Sequence, residues 1–587
     1  MKIAKCILVF FVVILAFSCA RVVHETRLSY GPSEARWVKK VMSKMTLEEK
    51  IGQMVVCSYS GRFLNRESEE MKALESLVLK RKIGGLILYG GNVYETALLT
   101  NRLQNLSEIP LLIASDLERG LGNQIDGAIQ FPPLMALGAI GAEEQAYLMG
   151  KVTAIEGRAV GIHLTYAPVV DVNINPDNPI INVRSFGEDP EQVSRLAAAF
   201  IRGCQENGLL ATAKHFPGHG DTDMDSHSEL PTVTGDAERL ERVELFPFRK
   251  AVEAGVSVIM TAHINFPALD PTPGMPATLS QRILSDLLRR EMGFKGLLVT
   301  DAMDMGGITT LYSPEEAAVK AVQAGVDMIL KSPEQEAVMD ALIQAARKGE
   351  IRAARIDESV RRILEAKARL GLHKNRLVSI ERLDKVIAAR QHLDLAQHMF
   401  ENSITLVKNE NQILPLPESG MKIAVLSLSS DPGRYFAGRP LIEEMEERDL
   451  NISSFYADAF TGEKYLKEGM EKAMEADVII FALFSVTQAW KGSVGLNENH
   501  IQMIKEAAAG SIPVIVISFG SPYFIRNFPE IDSYICAYRW SSEAQITAVK
   551  ALFGEIDLVG RLPVTIPELY PMGHGIRLPK KISSSQD

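Results

Sequence analysis

The stretch LATAKHFPGHGDTDMDSHSELP, Leu210–Pro231, decides how the chain is read. It opens as a short apolar run, Leu210–His215, of the kind that forms a strand buried on both faces. The run ends on Lys214 and His215, and the glycines and prolines that follow break regular structure. A buried strand whose carboxyl end carries the chemistry is the building unit of parallel α/β folds. The same unit recurs along the first two thirds of the chain. Ile51–Cys57, Gly84–Tyr89, Leu111–Asp116, Leu164–Val172, Val256–His263, Leu297–Asp301 and Val326–Lys331 are short apolar runs followed by polar or turn residues. Helical stretches lie between them, among them Glu143–Val160, Pro190–Asn207, Ala237–Ala254 and Ser280–Met292. Eight strands alternating with helices predict a (β/α)8 TIM-type barrel, with a doubly wound open sheet as the alternative. Asp116, Asp171, Lys214, His215, His263 and Asp301 all fall at strand ends, where a barrel carries its active site. One such Asp is commonly a helix cap; six titratable groups in the same relative position are not.

Beyond the barrel, Arg355–Leu370 reads as a closing helix and Gly371–Lys385 as polar and irregular. Ile423–Leu428, Val478–Phe484, Val514–Phe519 and Tyr534–Tyr538 then mark a second, smaller α/β sandwich domain. Its first strand is not followed by GxGxxG, so a dinucleotide site is not indicated. The predicted organisation is a leader over 1–19, a catalytic barrel over 31–370, a linker over 371–400 and the sandwich over 401–587.

With 46% hydrophobic and 23% charged residues, the chain has apolar surface for two full cores. A net charge of −10 without a long basic run argues against nucleic acid as a partner. Lys2 and Lys5 precede an apolar run, Ile7–Phe17, too short to span a bilayer comfortably. Ser18-Cys19 follows, resembling a bacterial lipoprotein signal with Cys19 as the lipidated residue; an ordinary secretory leader cut near Ser18 or Ala20 is the alternative. Either reading implies export to the cell envelope, facing the periplasm or exterior, and the first implies a lipid anchor. Cys57, Cys204 and Cys536 are scattered and odd in number, which suits buried thiols rather than a disulfide framework or a zinc site.

Lys214 to Pro231 holds three His and three Asp, and four readings compete for it. Asp221, Asp223 and Asp225 imitate an EF-hand, but Ser226 and Thr232 stand where that loop needs Gly and Glu. Zinc would have to use His215, His219 and His227 from a loop that Pro217, Gly218 and Gly220 keep from being helical, beside the ammonium of Lys214. A plain turn accounts for His219 and Asp221 but not for the whole set. A metal-free catalytic loop accounts for it best. Asp225 and His227, two apart, would share a side of an extended segment and make a proton shuttle. Asp301, on another strand, would be the carboxylate nucleophile of a retaining glycosidase. No metal and no cofactor is expected.

Lys214–Thr222 followed by Asp225-Ser226-His227 resembles glycoside hydrolase family 3, in particular its β-N-acetylglucosaminidase (β-hexosaminidase) branch. Ser115–Glu118, Asn178–Ile181, Val183–Gly187 and Val299–Met303 agree, and Ser403–Leu416 resembles the entry to that family's second domain. The resemblance implies Asp301 as nucleophile, His227 as general acid then base, and Asp225 as its partner. It implies Asp116, Arg184, Lys214 and His215 as ligands of the sugar. The implied activity is removal of terminal β-linked N-acetylglucosamine, from peptidoglycan-derived sugars. A phosphorylase or β-glucosidase of the same family is the near alternative, and a non-catalytic sugar-binding lipoprotein the distant one. The chain departs from the branch after Glu118: Arg119 stands where a Gly is usual, and Gln124 where a second Arg is usual.

Overall fold

The computed structural model describes residue 28 and residues 30–431, 437–485 and 495–581; the leader and Cys19 lie outside the described residues. The first eight strands are β1 (Val55–Ser60), β2 (Gly85–Tyr89), β3 (Leu112–Ser115), β4 (Leu164–Thr165), β5 (Thr212–Phe216), β6 (Val258–Thr261), β7 (Leu297–Val299) and β8 (Ile329–Leu330). They form two parallel ladders, β4-β3-β2-β1-β8 and β5-β6-β7. Parallel bridges Leu164–Leu210 and Val169–Lys214 join β4 to β5, and Val299–Met328 joins β7 to β8. The strands therefore close into a ring, and the barrel rather than the open sheet is the fold.

Several elements differ from the sequence reading for local reasons. Ile51 to Gln53 belong to a helix, Leu47–Gln53, because Thr46 and Glu49 cap it reciprocally: Glu49 N donates to Thr46 Oγ1 (3.3 Å) and Thr46 N to Glu49 Oε2 (3.0 Å). In Leu164–Val172 the regular strand is only Leu164–Thr165, and pairing returns at Val169 as a single bridge to Lys214; Pro168, just before it, has no N–H to offer. Ala237–Ala254 divides into Ala237–Arg242 and Leu245–Glu253, with Pro247 in the first turn of the second helix, where its missing donor is not needed.

The floor of the barrel is fastened by Asp327, wholly buried just before β8. Its carboxylate accepts from Arg289 (2.6 Å), Arg362 (2.9 Å), Arg355 (3.2 Å), Ser359 (2.7 Å) and the Leu298 amide (3.1 Å). Arg355, Ser359 and Arg362 lie on one face of the closing helix Ala353–Arg369, which this carboxylate ties to β7 and β8. Burial raises the Asp327 pKa, but Arg289, Arg362 and Arg355 bring it below the ordinary value.

The chain continues through a helix, Arg390–Ser403, into a six-stranded sheet. Its members are β9 (Thr405–Asn409), β10 (Lys422–Ser429), β11 (Asn451–Ala457), β12 (Val478–Phe484), β13 (Val514–Ser518) and β14 (Ser533–Cys536). The order is β11-β10-β12-β13-β14-β9, parallel except for β9, which runs antiparallel to β14. One face packs Leu441, Met445, Ala548 and Leu552 from helices Arg439–Glu446 and Ser542–Phe553. The other packs Leu466, Ile504 and Phe524 together with Met135, Ala136 and Ala139 of the barrel helix Leu134–Ile140. That shared apolar layer fixes the sandwich against the barrel, and Asn173 donating to the Tyr523 hydroxyl (3.0 Å) and Arg526 to Asp177 (2.9 Å) add polar ties. Cys57, Cys204 and Cys536 are buried free thiols.

Candidate active site

A cavity of about 430 Å³ opens at the carboxyl ends of the barrel strands, a size that suits a small-molecule site of ~300–1,000 Å³. Asp116, Arg184, Lys214, His215, His227 and Asp301 all line it. Asp225 stands behind His227.

Lys214, in the middle of β5, is only 3% exposed and holds two carboxylates, Asp116 (3.0 Å) and Glu118 (2.9 Å). Arg184 grips Glu118 with two parallel bonds, Nε to Oε2 (3.0 Å) and Nη2 to Oε1 (2.8 Å). Burial raises the Glu118 pKa, yet Arg184 and Lys214 hold it well below the usual range, so Glu118 is an anion. Glu118 is the hub of this cluster, and the sequence reading quoted it in a motif without counting it as a site residue. Its signal was available: an acid two positions past a strand-end Asp, on the same side.

His215 is oriented by the buried Asp171. The imidazole Nδ1–H donates to Oδ2 (2.7 Å), and the backbone amides of His215 (3.1 Å) and His219 (2.8 Å) donate to Oδ1. Asp171 therefore shapes the start of the loop and leaves His215 Nε2 for the cavity. His219 is hydrogen-bonded to Thr222 (2.8 Å) and Ser226 (2.8 Å). Burial first, and then His215, push its pKa down to about 4, so it is a neutral brace. Asp221 pairs with Arg239 (2.6 Å). The three imidazoles that a zinc site would need thus face three different sets of partners.

His227 and Asp225 meet, though not as an extended segment. Asp225 Oδ1 accepts from both the His227 amide (2.9 Å) and His227 Nδ1–H (2.6 Å), while its carbonyl accepts from the Ser228 (3.0 Å) and Glu229 (3.3 Å) amides. This is an Asx turn, which an Asp favours because its side chain can bond the backbone two residues on. The turn rests on the segment after Asp301: Gly306 N donates to His227 O (2.7 Å) and Gly307 N to Ser226 O (3.1 Å). A Cβ at Gly306 would lie 2.2 Å from Ser228 O, so only glycine permits this approach. At the other end of the loop a Cβ at Gly220 would lie 1.8 Å from Val172 O.

Asp301 follows β7, with one oxygen accepting from the Ala302 amide (2.8 Å). Burial raises its pKa, but His215, His263 and His227 around it more than compensate and hold it below the ordinary carboxylate value. An ionised carboxylate is what a nucleophile requires. His263 is set back from the cavity, hydrogen-bonded to Thr278 (2.8 Å) and to the Ala302 carbonyl (3.1 Å), where it steadies the backbone beside Asp301.

The second domain also forms part of the wall. Phe519 and Gly520 follow β13, and Tyr538, Arg539 and Trp540 follow β14. Arg539 Nη2 donates to Gln130 on the barrel (3.1 Å). These residues were missed, although carboxyl ends of parallel strands were the rule applied to the barrel.

An ionised carboxylate and a carboxylate-oriented imidazole, facing one polar cavity on a (β/α)8 barrel, define a glycosidase-type site. The glycosyl hydrolase family 3 N-terminal domain matches residues 46–366 and the family 3 C-terminal domain residues 404–580. The chain belongs to glycosyl hydrolase family 3. It is 28% identical to a β-N-acetylglucosaminidase/β-glucosidase of Cellulomonas fimi, over 90% of this chain and 95% of that one. A family 3 β-N-acetylglucosaminidase structure from Paenibacillus superposes with a TM-score of 0.80 at 32% identity, covering 89% of this chain and 99% of that one. The β-glucoside phosphorylase BglX superposes with a TM-score of 0.82 at 27% identity, covering 93% and 99%.

Proposed function

We propose that this enzyme is a retaining exo-β-N-acetylglucosaminidase whose nucleophile is Asp301 and whose acid and base is His227. The observation that carries the reading is the meeting, in one cavity, of Asp301, the Asp225-bound His227 and the Lys214–Asp116–Glu118–Arg184 cluster. Asp301 attacks C1 of the sugar while the bond to the leaving oxygen breaks. That oxygen takes the proton from His227 Nε2, and Asp225 at Nδ1 supports the imidazolium before transfer. Water then attacks C1 of the glycosyl-aspartate, giving its proton to His227, and Asp301 leaves as the carboxylate. Asp116, Arg184, Lys214 and His215 hold the hydroxyls and the acetamido group.

The enzyme should prefer a 2-acetamido sugar to glucose. A site built from buried polar groups rejects an analogue that leaves them unpaired, each lost contact costing roughly 1–3 kcal/mol, or about tenfold to a hundredfold in rate. The check is kcat/KM on 4-nitrophenyl β-N-acetylglucosaminide against the β-glucoside; equal or inverted values would move the enzyme to the glucosidase side of the family. The likeness to BglX keeps a second reading in view, in which phosphate rather than water attacks C1. Sugar 1-phosphate in place of free sugar, in phosphate buffer, would identify it.

Lys2, Lys5 and the run Ile7–Phe17 before Cys19 support export and a lipid anchor at Cys19, facing the periplasm or exterior. Terminal N-acetylglucosamine on peptidoglycan fragments is the substrate such a location offers. Mature protein from cells should begin at a lipid-modified Cys19 and fractionate with membranes; an unmodified N-terminus elsewhere would refute the anchor.

A further inference from the structure

The charges on the cavity wall do not all pair. Lys214 is bound to Asp116 and Glu118, Arg184 to Glu118, and Lys331 to Asp304 (2.9 Å). Asp301 is enclosed by imidazoles. Arg119 lines the same cavity, yet its guanidinium makes no side-chain hydrogen bond or ion pair with any described residue, and its Nε is buried. Its charged neighbours are Glu118 and Arg184. Both Glu118 oxygens are engaged elsewhere, Oε1 by Arg184 and Lys214 and Oε2 by Arg184, and neither bonds Arg119. Arginine stays charged in proteins, and a partly buried guanidinium left unpaired is costly. The backbone holds it there, with the Phe131 amide donating to Arg119 O (2.9 Å) and Gly120 at φ +83°. A Cβ at Gly120 would lie 2.9 Å from Phe131 Cδ2 and from Ile129 O.

We propose that Arg119 is an oxyanion subsite that reads an acidic substituent on the sugar bound in this cavity, a specificity resting on the glycosidase reading above. Three features converge. The guanidinium fork matches a carboxylate, sulfate or phosphate with two parallel bonds. No carboxylate among the described residues forms an ion pair with it. It lies in the Glu118–Arg184 corner, whereas Asp301 lies among His215, His263 and His227, so the anion belongs on the sugar ring rather than at the bond being cleaved. The substrate class is an N-acetylated amino sugar with an ionised ether, ester or C6 carboxyl group.

The test measures binding by calorimetry, independent of turnover, for wild type and Arg119→Gln. The probes are N-acetylglucosamine, N-acetylglucosamine 6-phosphate, N-acetylmuramic acid and N-acetylglucosaminuronic acid, which present no anion, an anion beyond O6, one on O3 and one at C6. At least one acidic sugar should bind wild type more tightly than its neutral counterpart. The variant should lose about tenfold to a hundredfold for that sugar, the scale of a charge-assisted pair, with N-acetylglucosamine changed less than about threefold. Arg119→Lys should recover part of the loss. Retained binding of N-acetylglucosamine also shows that the variant is folded. Equal losses for neutral and acidic sugars would overturn the proposal and make Arg119 an ordinary hydroxyl ligand standing in for the Arg that Gln124 replaces, and no preference for any acidic sugar in wild type would overturn it too. A failure to cleave aryl N-acetylglucosaminides, by contrast, would strike the catalytic reading and leave these binding ratios intact.

Discussion

Asp301→Asn should reduce kcat on 4-nitrophenyl β-N-acetylglucosaminide by roughly a thousandfold or more while leaving the fold unchanged. An amide of nearly the same volume keeps the Ala302 N–H contact but cannot form the glycosyl ester, and loss of a nucleophile is felt on that scale. The side chain is ionised in the wild type despite its burial, because three imidazoles face it. A neutral Asn removes a buried charge rather than stranding one, and stability should hold. Wild-type rates in this variant, with an unchanged melting temperature, would remove Asp301 from the mechanism.

His227→Ala should act unequally on the two half-reactions. A general acid contributes roughly 10²–10⁴-fold, most where the departing oxygen is a poor leaving group. A nitrophenolate leaves almost unaided, so glycosylation of Asp301 should survive with nitrophenyl substrates and collapse with a sugar aglycone. Deglycosylation still needs the base, so the covalent intermediate should accumulate and steady-state turnover should show a burst. Asp225→Asn should reproduce the trend more weakly, since the amide no longer fixes the Nδ1–H tautomer or supports the imidazolium. Equal losses for good and poor leaving groups, without a burst, would make His227 a structural residue of the Asx turn.

What could be read in the sequence was what local physics controls. The barrel strands are largely buried and so read as mostly apolar runs, with the chemistry gathered toward their carboxyl ends. That is why Asp116, Lys214, His215 and Asp301 can be collected from the sequence. β11 was missed because Asn451–Ala457 is a half-exposed edge strand with polar residues, and β9 because a single antiparallel strand at the sheet's other edge follows a helix without a turn signal. The Asp225–His227 pair was anticipated from spacing, but the turn that makes it rests on Gly306, whose need for glycine arises from contact with a loop some eighty residues earlier. Glu118 stands out locally only as an acid two positions past Asp116; its place as the hub comes from Arg184 and Lys214, which converge on it from distant parts of the chain. The second domain's Arg539 and Trp540 reach the cavity through packing of Met135 and Ala136 against a sheet hundreds of residues away, which no local pattern encodes.

The central claim is that the reaction proceeds through a covalent sugar on Asp301. A 5-fluoro-N-acetylglucosaminyl fluoride reacts through the same oxocarbenium-like transition states but slows both steps, so the intermediate can be trapped and digested. Mass spectrometry should find one N-acetylhexosamine-derived mass on the peptide containing Asp301, absent from Asp301→Asn. A label on any other residue, or none while the substrate is consumed, would contradict the account.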